Sequence, residues 1–243
     1  MNQIKEIEMP FISVITINKN NADGLNKTMQ SVCTQDFEDF EYIVVDGASE
    51  DKSGEVVKNY LADVDKFISG NDKGIYDAMN KGIRAAKGDY LIFLNSGDCF
   101  ADASVLTQMH VHCRGEDLLS GNIIFLENNI SRRDFTPERL TKFYLLHSML
   151  YHPATFFKKS LFKTLGLFDD QLSIVGDYEF FLRALSKNKI NYRHLPFDVV
   201  LFDSSGISSA KITREKMMDE RKMVQRKYYN KVLLFIYNLY KSR

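Results

Sequence analysis

Short continuous apolar runs alternate with amphipathic stretches through the first hundred residues. Phe11–Asn18 is β-branched, lies between Pro10 and Asn20-Asn21, and reads as a strand. Gly24–Cys33 carries Leu25, Met29 and Val32 at helical spacing. Glu41–Asp46 reads as a second strand, and Ser53 is placed to cap a helix whose inner face is Val56, Val57, Tyr60 and Leu61. Lys66–Ser69 is a short third strand. In Gly74–Ala86, Ile75, Ala78, Met79, Gly82, Ile83 and Ala86 follow the i, i+3, i+4, i+7 pattern, with Gly88 as a stop. A fourth strand over 89–95 follows. Its run Tyr90-Leu91-Ile92-Phe93-Leu94 predicts burial on both faces, and polarity then switches to Asn95-Ser96-Gly97-Asp98.

Alternating β and α segments of this kind predict an α/β fold with a doubly wound, mostly parallel sheet flanked by helices. After Asp98 the pattern loosens. Helices are expected over Ser104–Cys113, Pro137–Leu146, Leu161–Leu165 (closed by Gly166) and Gly176–Ser186. Leu118–Leu126 reads as a strand interrupted by Gly121, Met149–Phe157 as extended, and Asn191–Phe202 as one or two strands broken at Pro196. The last thirty residues read as helical.

Charge divides the chain unevenly. Lys211–Arg243 holds ten basic and three acidic side chains, a net +7, so the preceding 210 residues carry −7. We therefore expect a domain over 1–210 and a basic helical tail over 211–243. Within the domain, the regular β-α alternation covers 10–100 and the looser pattern 101–210. The three cysteines, Cys33, Cys99 and Cys113, make no C-x-x-C pair, which argues against a disulfide framework or structural zinc and favours a reducing, cytoplasmic compartment. Residues 1–10 lack the apolar core of a signal peptide, and no apolar run reaches membrane-span length.

Three strands end in polar or acidic residues: Asn18, Asp46 and Asn95 with Asp98. In a parallel sheet these ends share one edge, where open α/β sheets bind ligands. A nucleotide site needs an amide or carboxylate to read a base edge and a carboxylate to hold a divalent cation on a diphosphate. Turn and cap chemistry is the competing explanation, and it accounts better for Asp23 and Asp51. No G-x-G-x-x-G follows the first strand, and no G-x-x-x-x-G-K-[ST] loop occurs, which excludes a classical NAD site and a P-loop.

Several segments together resemble family-2 glycosyltransferases with a GT-A fold. They are Ile12–Asn18, Ile43–Asp51, Asp72–Gly82 and Gly88–Asp98, followed by His152–Phe157 and Gly176–Arg183, over roughly residues 10–210. The resemblance implies transfer of a single sugar from a nucleotide-sugar donor, a UDP-sugar, with inversion and with Mn2+ or Mg2+. The acceptor would be a hydroxyl of a glycan or lipid-linked molecule in surface polysaccharide or glycolipid biosynthesis. The Q-x-x-R-W signature of processive members is absent and the chain has no tryptophan, which favours single transfer.

The resemblance places the site residue by residue. Asn18 and Asn95 fall in its nucleotide-sugar half, and Asp46 stands at its base-reading position. Asp98 stands at the last, metal-coordinating position of its D-x-D-type motif. Asn95 and Gly97 replace acidic residues common there, which leaves Asp98 as the main metal ligand. Asp72, Lys73 and Asp77 fall where the ribose and diphosphate are lined; the start and polar face of a helix is the alternative. Asp177 is the expected catalytic base, with a helix cap as alternative, and Gly176 replaces an acidic neighbour. His152 is an acceptor-side residue or a structural histidine. Gly206-Ile207-Ser208-Ser209 resembles a loop that closes near the diphosphate.

The basic tail 211–243, with its apolar Val232–Tyr237, is expected to contact a membrane surface peripherally; packing on the domain or a homodimer contact are the alternatives. No nucleic-acid partner is expected. The rival functions are a sugar-phosphate nucleotidyltransferase and a degenerate nucleotide-sugar-binding or interaction domain. The first would need a Gly-rich basic loop where Asn18-Lys19-Asn20-Asn21 stands.

Overall fold

The computed structural model describes residues 9–127, 130–187, 190–203 and 211–241. Four parallel strands, β1 (Ile12–Asn18), β2 (Phe40–Asp46), β3 (Lys66–Ser69) and β4 (Tyr90–Asn95), lie in the order β3-β2-β1-β4. Helices α1 (Ala22–Cys33), α2 (Ser53–Asn59) and α3 (Ile75–Ala85) make the crossovers. These are the elements the apolar pattern predicts, to within two residues except for the end of α2. Beyond β4 the sheet continues antiparallel through β8 (Thr155–Lys158) to β6 (Leu118–Glu127). Next comes β9 (Tyr192–Asp203), parallel to β6, and then β5 (Cys99–Phe100), while β7 (Ile130–Asp134) pairs with β6. The remaining helices are α4 (Val105–His112), α5 (Lys142–His147), α6 (Ser160–Leu165), α7 (Gly176–Lys187), α8 (Lys211–Tyr228) and α9 (Lys231–Lys241).

The unbroken apolar strands follow from burial on both faces. Side chains alternate across a strand, so Ile15, Ile17, Leu91 and Phe93 enter one core layer. Ile12, Val14, Ile92 and Leu94 enter the other. The first layer is closed by α3, α6 and α7 with an aromatic group of Phe93, Phe157, Phe162, Phe168 and Phe180. Helix α8 inserts Val224 beside them, and Gln225 Nε2 donates to the Leu146 carbonyl (3.0 Å) and the Tyr178 hydroxyl (3.1 Å).

Four expectations change in detail. Ser53 opens α2 rather than capping it, and the Asp51 carboxylate receives its N–H at 3.0 Å. The helix expected from Pro137 begins only at Lys142, with Thr141 as its cap. Residues before it are held extended, because Thr136 donates to the Ser120 carbonyl and Tyr192 to that of Pro137. The extended segment 149–157 is interrupted by a 3-10 turn at His152–Ala154 that contains Pro153. Strand β9 runs unbroken through Pro196, and the missing N–H falls in a register shift against β6 between Ser120 and Asn122.

Candidate active site

The strand register sets the site. Asn18 pairs with Asp46 across β1 and β2, and Ile17 pairs with Asn95 across β1 and β4. Three polar strand ends therefore lie side by side. Asp46, 4% exposed, is enclosed by donors. Its Oδ1 accepts from Asn18 Nδ2 (2.8 Å) and Ser49 Oγ (2.6 Å), and its Oδ2 accepts from the Ser49 N–H (2.9 Å) and Ser69 Oγ (3.4 Å). It thus ties the ends of β1, β2 and β3 together. Among the described residues, Asn18 Oδ1 is buried with no hydrogen-bond partner.

Asp72, Lys73 and Asp77 build the neighbouring rim. Asp72 Oδ1 accepts from the Gly74 N–H (3.2 Å), and its Oδ2 sits against Gly47, 2.3 Å from where a Cβ would stand. Asp77 accepts from the Lys73 N–H (3.2 Å) and pairs with Lys81 at 3.4 Å. The loops after β2 and β3 therefore abut at the start of α3.

The turn after β4 holds the other carboxylate. Gly97 has φ +111°, a conformation that favours glycine, and its N–H donates to Thr28 Oγ1 at 2.9 Å. This aims Asp98 inward, 3% exposed, with Oδ2 unpartnered among the described residues. Desolvation raises its pKa to about 7, against the pull of His152 and of backbone hydrogen bonds from Asp203 and Asn95. Asp203, the last residue of β9, adds a second carboxylate beside it: its Oδ2 comes 3.5 Å from the Cβ position of Gly97, and its charge raises the Asp98 pKa further. Sequence reading missed Asp203, although it carries the strand-end signal that marked Asp46.

An unpartnered buried carboxylate oxygen with a second carboxylate nearby fits a divalent cation completed by water and phosphate oxygens. No group of three or more protein ligands exists among the described residues, so such a cation would depend on its substrate for coordination.

The third network carries Asp177, 3% exposed at the first turn of α7. Its Oδ1 accepts from the Tyr76 hydroxyl (3.1 Å) and the Tyr178 N–H (2.8 Å). Its Oδ2 lies 2.9 Å from His152 Nδ1, whose other ring nitrogen is 3.2 Å from Asn95 Nδ2. An ionised carboxylate only accepts, so Nδ1 carries the hydrogen, and Nε2 is left to accept from Asn95. His152 is thus a strut between β4 and α7. Tyr76, also missed in the sequence, shares its one hydroxyl hydrogen between Asp177 Oδ1 and the Ile174 carbonyl, which lies 2.7 Å away. Its ring also explains Gly176: a Cβ there would lie 2.8 Å from the Tyr76 ring, so no acidic side chain fits. The 206–209 loop lies outside the described residues.

The ends of β1, β2 and β4 share one edge, as the strand pattern predicts, and His152 joins the Asp177 network to it at Asn95. Residues 13–166 match the model of glycosyl transferase family 2. A Mycobacterium tuberculosis protein named an uncharacterized glycosyltransferase is 34% identical over 224 residues, covering 88% of this chain and 83% of its own. A PGL/p-HBAD biosynthesis glycosyltransferase of Mycobacterium bovis is 27% identical over 215 residues, covering 85% and 82%. TarS of S. aureus, solved with UDP-GlcNAc, superposes with a TM-score of 0.67 at 20% identity, over 85% of this chain and 64% of that one. The mannosyltransferase PcManGT from Pyrobaculum calidifontis, in complex with GDP-Man and Mn2+, gives 0.61 at 17% identity, over 79% and 57%. The chain spans less than two thirds of those solved chains, and at such identities they show the shared GT-A fold. The extent of the family match and the identity to the mycobacterial relative establish that this chain belongs to glycosyl transferase family 2 and is a glycosyltransferase.

Proposed function

We infer that the protein moves one sugar from a nucleotide-sugar donor, a UDP-sugar, to a hydroxyl of a glycan or lipid-linked acceptor, with inversion. The observation that carries this reading is Asp177, held by Tyr76 and His152 at the edge where Asn18, Asp46 and Asn95 end their strands and Asp98 follows in the next turn. Among the described residues its Oδ2 receives only His152, which leaves a lone pair for an acceptor proton. As the acceptor oxygen bonds to the anomeric carbon from one face, the bond from that carbon to the diphosphate breaks on the other. The electron pair leaves with the nucleotide, and the acceptor proton passes to Asp177.

Asn18, Asp46 and the rim of Asp72, Lys73 and Asp77 would line the nucleoside and diphosphate, with Asp46 fixing the loop shape beneath the base. Asn95 would stand between the donor and the His152 strut. Asp98, with Asp203 beside it, would hold Mn2+ or Mg2+, which when bound would stabilise charge on the departing diphosphate. UDP and UDP-GlcNAc in TarS, and GDP-Man with Mn2+ in PcManGT, support a nucleotide-sugar donor and a divalent metal. The PGL/p-HBAD relative supports a glycolipid or polysaccharide product. A thermal-shift series of UDP-, GDP- and dTDP-sugars with and without Mn2+ tests the donor. Stabilisation by UDP-sugars with Mn2+ is expected; stabilisation by another nucleotide series alone would replace UDP in this account.

A further inference from the structure

Helix α9 is apolar on two opposite sides. Leu234 and Tyr237 pack on the core. Val232, Phe235, Ile236 and Leu239 follow the i, i+3, i+4, i+7 spacing on the other side and are 66%, 64%, 58% and 53% exposed. From Arg221 to Arg243 there are seven basic residues and no acidic ones. Lys222, Arg226, Lys227 and Lys231 are all exposed. We propose that this face of α9, with the exposed basic side chains that precede it in the chain, docks the enzyme on an anionic lipid surface.

Three observations select lipid over other occupants. Charge comes first: a second copy of the same helix would set basic side chains against basic ones, whereas anionic headgroups complement them. Size comes second. Eleven residues make a helix of about 16 Å, whose one outward face falls well short of the roughly 800 Å² per partner of a stable protein interface. Geometry comes third. No helix among the described residues is long and apolar enough to cross a membrane, so α9 would lie in the plane of the interface.

Helix α8, which leads into α9, is joined to the reaction centre. In α8, Glu220 accepts the backbone N–H groups of Ser173 (3.0 Å), Ile174 (2.9 Å) and Val175 (3.3 Å), directly before Asp177. Arg221 lies 4.5 Å over the Tyr178 ring and donates to the carbonyls of Leu145 and Ser148. A membrane seat at α9 would therefore hold the acceptor half of the enzyme against the surface that carries a lipid-linked acceptor. The inference stands on the helix itself and survives a different donor or base assignment.

The test is flotation of the full chain with phosphatidylcholine vesicles, with and without phosphatidylglycerol, at low and high salt. Binding to the anionic vesicles only, weakened by salt, is expected. Phe235→Glu with Ile236→Glu, and separately Lys222→Glu with Arg226→Glu and Lys231→Glu, should each cut binding roughly tenfold or more. Unchanged melting of each variant shows that the fold is intact. Absence of wild-type binding, equal binding to uncharged vesicles, or a dimer in solution that Phe235→Glu with Ile236→Glu dissolves without any vesicle binding, would each overturn the proposal.

Discussion

His152 Nδ1 donates to Asp177 Oδ2 across 2.9 Å and so joins the 3-10 turn at 152–154 to the first turn of α7. Both side chains are nearly excluded from water, at 12% and 5% exposure, so the hydrogen bond is shielded from competition. The contact gives His152 a positioning role for the proposed base rather than an independent one.

Replacing His152 with Ala should therefore lower kcat by roughly tenfold to a hundredfold while leaving the donor KM nearly unchanged. His152→Asn, which can offer Asp177 an N–H, should recover part of the loss. Steady-state kinetics on both variants checks this. A defect confined to donor KM would place His152 in the donor site instead.

Asp98 predicts a conflict between stability and function. Without metal its carboxyl has a pKa of about 7 in the fold, against 3.8 as the ordinary value. Below about pH 4 it is neutral in both folded and unfolded chains. From there to about 7 the folded chain keeps a proton that the unfolded chain has released, so metal-free stability falls as pH rises, and levels off above. Asp98→Asn should flatten that slope and raise the metal-free melting temperature at pH 8, while abolishing any Mn2+-dependent gain in UDP affinity. Melting curves across pH and calorimetric titration with UDP measure both. A variant that still binds UDP in a metal-dependent way removes Asp98 from the metal site.

Glu220 closes three backbone donors before Asp177. Glu220→Ala leaves them without that partner and should cost about 1–3 kcal/mol, a loss of several degrees in melting temperature for a chain of this length. Because the same loop sets α7, kcat should fall as well, although α8 touches no substrate in this account. A variant with lowered melting temperature and unchanged kcat would separate the loop from the chemistry.

The β-α half of the fold was legible because its strands are buried on both faces and its helices on one, so the period of the apolar pattern is unambiguous from Ile12 to Asn95. The second half was less so. Pro137 and Pro196 look like element boundaries, yet one stands in an extended segment and the other in a register shift, both set by neighbouring strands. In the site, Asn18, Asp46 and Asn95 were legible as strand ends and Asp98 as the carboxylate of the turn that follows. Asp203 and Tyr76 were not: their partners are 105 and 101 residues away in sequence, and only packing brings them together. Gly176 looked like a lost acidic residue until the Tyr76 ring was seen to occupy the space.

Asp177 is the proposed base that removes the acceptor proton in the donor-bound enzyme. Asp177→Asn keeps the shape of the side chain and removes its basicity. The decisive measurement is transfer turnover of this variant beside its calorimetric affinity for the UDP-sugar in Mn2+. The account predicts donor affinity within about twofold of wild type, with turnover reduced roughly 10²–10⁴-fold. Turnover like that of the wild type, with intact donor binding, would contradict it.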